Sequence, residues 1–150
     1  MQSDDPICSA PRIGEATFAA VLGGAQSPAA PEAADCYTAI VSFGVDPALA
    51  LAQFAHESFY GRLGIARTTK SWGNIRRNGA FVAYDSWAAG ARDYAALISG
   101  PLYARDPGYD TARTMPYRWA PASDGNDPAA YGADLVARIN ALIALDHASQ

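Results

Sequence analysis

The chain has 150 residues, of which 50% are hydrophobic and 17% are charged. This supplies enough apolar surface for one packed core and predicts a single domain over residues 1–150, which we expect to be a monomer. A net charge of -4, with no cluster of Lys and Arg among aromatic residues, argues against nucleic acid as a partner. No apolar run approaches the roughly 20 residues of a membrane span, so we expect no membrane insertion.

Two helices are predicted in the first third of the chain, after an N-terminal arm at residues 1–13. The run 14–22 favours a helix and is followed by a glycine pair, which is a common helix stop. A linker containing two prolines cannot continue that helix. Apolar residues at helical spacing resume over 32–43 and end at Gly44, which predicts the second helix.

A third helix is predicted to begin at Asp46-Pro47 and to carry Glu57 at its C-terminal end. Aspartate is a favoured N-cap, and proline is well suited to the first helical position. The residues that follow are mainly apolar for about three turns, up to His56-Glu57. The pattern therefore places a lone carboxylate at the end of a buried helix.

The second half of the chain combines one hairpin with two more helices. Asn78-Gly79 is a preferred two-residue turn and predicts a β-hairpin within 73–84. Ser86 is a suitable N-cap for a helix over 87–98, and a second Asp-Pro pair begins a closing helix that extends to Leu145. The predicted fold class is α+β, mainly α, with helices around a small hairpin.

The N-terminus and the cysteines bear on localisation. The first six residues have neither a positively charged region nor an apolar core, so we expect no signal peptide in this chain. A bridge between Cys8 and Cys36 would tie the N-terminal arm to the second helix, as in secreted proteins. Free buried thiols are also common in cytosolic domains, so the sequence leaves both states open.

Glu57 is the candidate catalytic residue. It lies at the negative end of a helix, close to Phe59 and Tyr60, and both the helix dipole and desolvation disfavour its charged form. A protonated carboxylic acid is the group that donates a proton to the leaving oxygen in glycoside cleavage. The simpler interpretation is a surface glutamate near a helix end.

Four segments resemble the glucosaminidase domains of glycoside hydrolase family 73. In that family a helix with the pattern A-x-x-E-S-x-x-G supplies the catalytic glutamate. A segment like N-N-x-F-G-I, a helix start like F-x-x-Y-x-S and a final Y-A-P-x-S-D-N-D-P element follow. Their counterparts in this chain are Ala48 to Gly64, Trp72 to Ile75, Phe81 to Ser86 and Trp119 to Pro128. The order and spacing of these pieces, over roughly residues 40–145, are more specific than any single piece.

The resemblance implies a lysozyme-like fold, with a helical lobe and a small β-hairpin lobe, and an enzyme without a cofactor. It implies an endo-β-N-acetylglucosaminidase that cuts the glycan strands of peptidoglycan outside the cytoplasm, as a secreted autolysin or a phage endolysin. Glu57 would be the general acid. Further residues are implied as substrate-binding groups: Trp72, Asn74, Tyr84, Tyr103 and Trp119.

The chain departs from the family in its second acidic residue. No Asp or Glu occurs between Glu57 and Asp85. Asp85 is a possible second catalytic group, although an aspartate beside a helix start is usually a cap. We prefer assistance by the 2-acetamido group of the substrate, or attack by a water held by Asn74 or a tyrosine, because both need only one protein acid.

Several alternatives remain open at this stage. Muramidase and lytic transglycosylase activities share the fold and the single glutamate, and a glycan-binding module is the alternative without catalysis. A peptidase or amidase using Cys36 and His56 would need a reduced, exposed thiol. The zinc-protease pattern H-E-x-x-H fails because position 60 is Tyr, and we expect no metal.

Overall fold

The computed structural model describes residues 5–150, which form a mainly helical fold with one small antiparallel sheet. This confirms the mainly α, α+β class. The helices and strands are α1 (Glu15–Gly24), α2 (Ala33–Ser42), α3 (Pro47–Ser58), α4 (Ala66–Thr69), β1 (Arg76–Arg77), β2 (Ala80–Phe81), α5 (Trp87–Ile98), α6 (Pro116–Trp119) and α7 (Pro128–Ala148). Short 3-10 turns at Ala30–Glu32 and Ala122–Asp124 precede α2 and α7.

Helix α3 runs through the centre of the core. The Asp46 carboxylate accepts a hydrogen bond of 3.2 Å from the Ala48 amide, so the predicted N-cap is confirmed. Every residue from Pro47 to Ala55 is buried, because α1, α2 and α7 pack around this helix. Burial on all sides fixes the direction of α3 and therefore the position at which Glu57 emerges.

The predicted hairpin is confirmed, with strands of two residues each. Arg76 pairs with Phe81, and Arg77 pairs with Ala80. The turn residues Asn78 and Gly79 have φ angles of 53° and 78°, as a type I′ turn requires. All four strand residues are exposed, so the hairpin contributes little to the core.

The starts of α5 and α7 follow the predicted caps. The Ser86 hydroxyl accepts the Ala89 amide at 3.0 Å, and the Asp127 carboxylate accepts the Ala130 amide at 3.0 Å. The Glu32 carboxylate adds two hydrogen bonds of 3.2 Å to the first amides of α5, which joins that helix to α2. Helix α7 continues three residues beyond the predicted end at Leu145.

The described part of the predicted N-terminal arm is packed into the fold. Ile7 and Ile13 are buried, and single β-bridges join Pro6 to Thr111 and Cys8 to Val45. Residues 1–4 of that arm, which hold most of the segment without signal-peptide features, lie outside the described residues. The arm from residue 5 onward is therefore a structural part of the domain.

Both cysteines are free thiols, with Cys8 exposed and Cys36 buried in α2. The cross-link that the sequence left open is absent from the described chain. None of the helices between residues 5 and 150 combines the length and the apolar character that a bilayer crossing requires.

Candidate active site

The end of α3 makes an unusual turn directly after Glu57. Phe59, Tyr60 and Gly61 have φ angles of 47°, 58° and 80°, so three consecutive residues adopt the left-handed conformation. A Cβ atom on Gly61 would lie 2.6 Å from the Trp87 ring, which only glycine avoids. The left-handed turn costs free energy at the two aromatic residues. It ends the helix abruptly and leaves Glu57 half-buried on its last turn.

Three side chains from distant parts of the chain hold the Glu57 carboxylate. The indole N–H of Trp119 donates a hydrogen bond of 2.8 Å to Oε1, and the Tyr131 hydroxyl donates a second, shorter one to the same oxygen. The Asn74 amide lies 3.4 Å from Oε2 and 3.3 Å from the Glu57 carbonyl oxygen, which makes it a weaker donor. Asn74 itself has a φ angle of 50°. The carboxylate therefore has a fixed orientation.

The Tyr131 hydroxyl remains a neutral donor. Burial raises its pKa well above the usual value, and the neighbouring Glu57 carboxylate raises it further. Beneath it, the fully buried Tyr94 donates its hydroxyl to Oε1 of Gln53, which is also fully buried. Burial likewise raises the pKa of Tyr94. Glu57 thus rests on a layer of uncharged polar groups.

The Glu57 carboxylate faces a cavity of about 310 Å³ that opens to solvent. Its lining comes from the ends of α3 and α6, the start of α7 and the loop before β1, and consists of His56, Glu57, Gly73, Asn74, Trp119, Ala120, Asn126 and Tyr131. Of these described lining residues, only Glu57 carries a carboxylate. The lining is otherwise aromatic, amide and small side chains, which are suited to uncharged hydroxylated ligands.

A second cavity of about 270 Å³ adjoins the first across Trp119. The two cavities share Gly73, Asn74 and Trp119, and the second one also includes Tyr103 and Arg76. The Tyr103 and Trp119 rings are 5.7 Å apart between centroids. The structure therefore places Asn74 and Trp119 beside Glu57, and Tyr103 lies behind Trp119 in the adjoining cavity.

The prediction that Trp72 lines a sugar groove is corrected by the structure. Trp72 has no exposed surface, and its ring stacks on Phe54 at a centroid distance of 4.0 Å. Its indole N–H donates to the Trp87 carbonyl oxygen at 3.1 Å. Trp72 is thus one of the largest fully buried side chains of the core, and it belongs to the segment that leads to Asn74.

Tyr84 and Asp85 also lie outside the Glu57 cavity. Tyr84 donates its hydroxyl to Asp93 and lines a separate cavity with Arg77. Asp85 is exposed, lines none of the cavities described above, and accepts Lys70 through its backbone carbonyl. The placement of both residues corrects the sequence interpretation. The hairpin faces α5 here, and this carries Tyr84 and Asp85 away from α3.

Sequence reasoning missed two groups at this site. The spacing of Tyr131 fits the apolar side of the closing helix and gives no sign of a polar role, because its hydroxyl partner is 74 residues away. His56 was considered only with zinc and with Cys36, yet its Nδ1 lies 2.7 Å from Oδ2 of Asp134. Between residues 5 and 150 no group of three or more His, Cys, Asp or Glu side chains is arranged to hold a metal ion.

Comparisons of the chain with protein-family models, with curated proteins and with solved structures found no match. The site combines one oriented carboxyl group, two aromatic donors, two amide side chains and an imidazole around an open cavity.

Proposed function

We propose that this protein is a lysozyme-like glycosidase that cleaves the glycan strands of peptidoglycan, with Glu57 as the general acid. The observation that carries the proposal is the Glu57 carboxylate at the wall of an open cavity, oriented by Trp119 and Tyr131. A proton donor must be held at one position relative to the bond it protonates, and these two hydrogen bonds supply that restraint.

The hydrogen bonds also select the oxygen that carries the proton. Oε1 of Glu57 accepts from both Trp119 and Tyr131, which occupies its acceptor positions. Oε2 has only the long contact with Asn74. The transferable proton therefore belongs on Oε2, where the Asn74 amide N–H is a weak donor when the carboxyl group is ionised.

The anomeric carbon needs a second group to stabilise its developing positive charge. No other carboxylate occurs among the described residues that line the cavity. Attack by the 2-acetamido oxygen of an N-acetylated sugar supplies this group from the substrate and needs no second protein acid. This supports N-acetylglucosamine or N-acetylmuramic acid on the side of the bond that forms the intermediate.

The specific activity that we propose is endo-β-N-acetylglucosaminidase, in agreement with the resemblance of Ala48 to Gly64 to family 73. Muramidase and lytic transglycosylase activities are the alternatives, because each uses one glutamate at a similar site. The substrate places the enzyme at the cell wall, as a secreted protein or a phage endolysin. The partly exposed ring of Trp119 is suited to stack on a sugar ring, and the buried Tyr103 ring packs against it.

The test is product analysis with Glu57→Gln and a matched control, Glu15→Gln, at an exposed position of α1. Purified peptidoglycan is incubated with each protein, reduced with borohydride and analysed by mass spectrometry. Reduced N-acetylglucosamine ends from wild type and from the control, but not from Glu57→Gln, support the proposal. Unchanged turnover in Glu57→Gln would overturn the role of Glu57, and glycan binding without any products would favour a binding module.

A further inference from the structure

Positive charge is concentrated in one part of this acidic chain. The segment 58–92 holds six of the eleven Lys and Arg residues, but only one of the fifteen Asp and Glu residues, Asp85. This segment contains the β-hairpin and both of its flanks. The net charge of -4 therefore combines a positive hairpin region with a negative remainder, and the hairpin region is the part that attracts anions.

Most of these positive charges have no acidic partner among the described residues. Within 58–92 only Arg77 forms an ion pair, with Asp93. The exposed side chains of Arg76 and Arg92 lie at ion-pair distance from no carboxylate between residues 5 and 150. Their charge is therefore available to a ligand from outside the fold.

Arg76 belongs to the cavity that adjoins the Glu57 cavity. It is the only charged residue among the described residues that line this second cavity. Asn74 contacts Glu57, and Arg76 follows Asn74 by two residues, so the Cα atoms of these two residues are at most about 7 Å apart. The carbonyl of Ile75 between them accepts the Val82 amide at 2.9 Å, which fixes the hairpin relative to the loop.

Two contacts hold the guanidinium group of Arg76 against the hairpin. Its Cζ lies 4.9 Å from the ring centroid of Phe81, the residue that pairs with it across the strands. Its Nη2 donates a hydrogen bond of 2.9 Å to the Gly79 carbonyl oxygen. A guanidinium has five N–H donors, so this bond leaves donors for a ligand. The side chain is thus restrained at one place and still able to bind an oxyanion.

A carboxylate is the ligand that fits these observations. A planar guanidinium binds a carboxylate through two parallel hydrogen bonds, and the positive surroundings favour an anion. Peptidoglycan carries carboxylates beside its neutral sugar rings, on the lactyl group of N-acetylmuramic acid or on the peptide attached to that group. The described lining of the Glu57 cavity, in contrast, contains no Lys or Arg and is suited to the sugar itself.

We propose that Arg76 is a substrate-binding residue that recognises a carboxylate on N-acetylmuramic acid, in its lactyl group or in the attached peptide. This inference rests on the proposed glycosidase function. The sugar beside the cleaved bond occupies the Glu57 cavity, and the acidic substituent extends across Trp119 to the cavity of Arg76. Recognition of this charge favours peptidoglycan over chitin, which has the same acetamido sugar but no carboxylate.

A purely structural role for Arg76 predicts a different dependence on the ligand. If the guanidinium only stabilised the hairpin, through Phe81 and Gly79, its removal would weaken the binding of every glycan strand to the same extent. If it binds a carboxylate, the effect of its removal disappears when that carboxylate is neutralised. A comparison of charged and neutral strands therefore separates the two roles.

The experiment measures strand binding by calorimetry in proteins that also carry Glu57→Gln, so that cleavage does not disturb the equilibrium. Arg76→Gln is compared with Arg67→Gln, which removes one charge at an exposed position of α4 outside the cavities described above. Three strand preparations are used. The first is native soluble strands, and the second is strands freed of peptide by an amidase, which leaves the lactyl carboxylate. The third is the second preparation after its carboxylate is converted to a neutral methylamide.

We expect Arg76→Gln to raise the Kd for native strands about 10-fold and the Kd for neutral strands by less than about 2-fold. Arg67→Gln should leave both values close to those of the parent protein. An increase that persists on amidase-treated strands assigns the lactyl carboxylate, and an increase confined to native strands assigns the peptide. Arg76→Lys, which keeps the charge but not the planar fork of donors, should give an intermediate Kd.

The inference and the glycosidase proposal fail in different ways. An unchanged Kd for native strands in Arg76→Gln, or an equal increase for native and neutral strands, would overturn the role of Arg76. Turnover of native strands by the wild-type protein in that case leaves the glycosidase proposal intact. Strand binding that depends on Arg76, without any turnover by the wild-type protein, would overturn the glycosidase proposal and support carboxylate recognition.

Discussion

The indole N–H of Trp119 and Oε1 of Glu57 are joined by a hydrogen bond of 2.8 Å, although 62 residues separate them in the chain. Trp119 ends the short helix α6, and its ring lies directly over Gly73. The orientation of the candidate acid is therefore set by groups outside α3: Trp119 on α6, Tyr131 on α7 and Asn74 in the loop before β1. Changes at those supports should alter catalysis without altering the acid itself.

Tyr131→Phe tests the second donor to Glu57. Phenylalanine keeps the ring against His56 but removes the hydroxyl that donates to Oε1. A hydrogen bond to a charged group contributes about 1.5–3 kcal/mol, so we expect kcat to fall about 10- to 100-fold. The measurement is kcat on soluble peptidoglycan strands, with Tyr117→Phe at a 53% exposed tyrosine as the control. Equal kcat values for the two variants would argue against an orienting role for Tyr131.

Gly73→Ala tests the contact beneath Trp119. A Cβ atom at position 73 would lie 2.5 Å and 2.8 Å from two carbons of the Trp119 indole ring, so the ring must shift and its hydrogen bond to Glu57 is disturbed. We expect at least about a 10-fold loss of kcat, with a destabilisation of about 1–3 kcal/mol from overpacking. Gly23→Ala, in α1 with no heavy atom within 4 Å of the new Cβ, is the matched control. A fully active Gly73→Ala protein would contradict the importance of the Trp119 position.

Asp93→Asn tests the link between the hairpin and α5. Partial burial raises the pKa of Asp93, but hydrogen bonds from Arg77 and Tyr84 outweigh it and lower the pKa. Burial and the hydrogen bond to Asp93 raise the pKa of Tyr84 to about 12, although the Arg77 charge opposes this effect. A lowered carboxylate pKa stabilises the fold above the unfolded value of about 3.9, and this contribution is lost as pH falls through the folded value.

We therefore expect Asp93→Asn to lower the Tm at pH 7, and the difference from wild type to shrink below about pH 4. Thermal unfolding followed by circular dichroism between pH 7 and pH 3 measures this. Asp85→Asn, at an exposed aspartate, serves as the control and should retain full activity as well. A difference in Tm that is constant over the whole pH range would show that the Asp93 charge has no part in the link.

The reactivity of the two cysteines tests the alternative in which Cys36 is a catalytic thiol. Burial raises the pKa of Cys36 to about 12, and the charges of Glu32 and Asp35 add to the effect. A thiol with that pKa holds almost no thiolate near neutral pH. We expect N-ethylmaleimide to modify the exposed Cys8 alone, as shown by peptide mass mapping, with unchanged activity. Activity loss in proportion to modification of Cys36 would support the peptidase alternative.

The parts of the fold with local signals could be predicted from the sequence. The Asp46-Pro47 start, the Asn78-Gly79 turn and the Ser86 cap each depend on backbone preferences within a few residues. The predicted bounds of α5, 87–98, agree with the structure at both ends, because its N-cap is a local signal. The helices of four residues, α4 and α6, have too few positions to show a hydrophobic period, so no pattern in the sequence indicates them.

The candidate site was only partly predictable, because its geometry depends on tertiary packing. Trp72 and Trp119 have similar local surroundings in the sequence, yet one is fully buried and the other binds Glu57. The direction in which the hairpin packs decides that Tyr84 contacts Asp93. The pairing of His56 with Asp134 spans 78 residues and has no local signal. The order of the motifs identifies Glu57 as the candidate acid, but it does not predict which side chains contact its carboxylate.

The most direct test of the central claim is mass spectrometry of borohydride-reduced products from peptidoglycan treated with wild type and with Glu57→Gln. Glutamine keeps the size of the side chain but has no proton to transfer to the leaving oxygen. The glycosidase account predicts new reduced N-acetylglucosamine ends from wild type and none from Glu57→Gln. Equal amounts of reduced ends from both proteins, or no products from either, would contradict it.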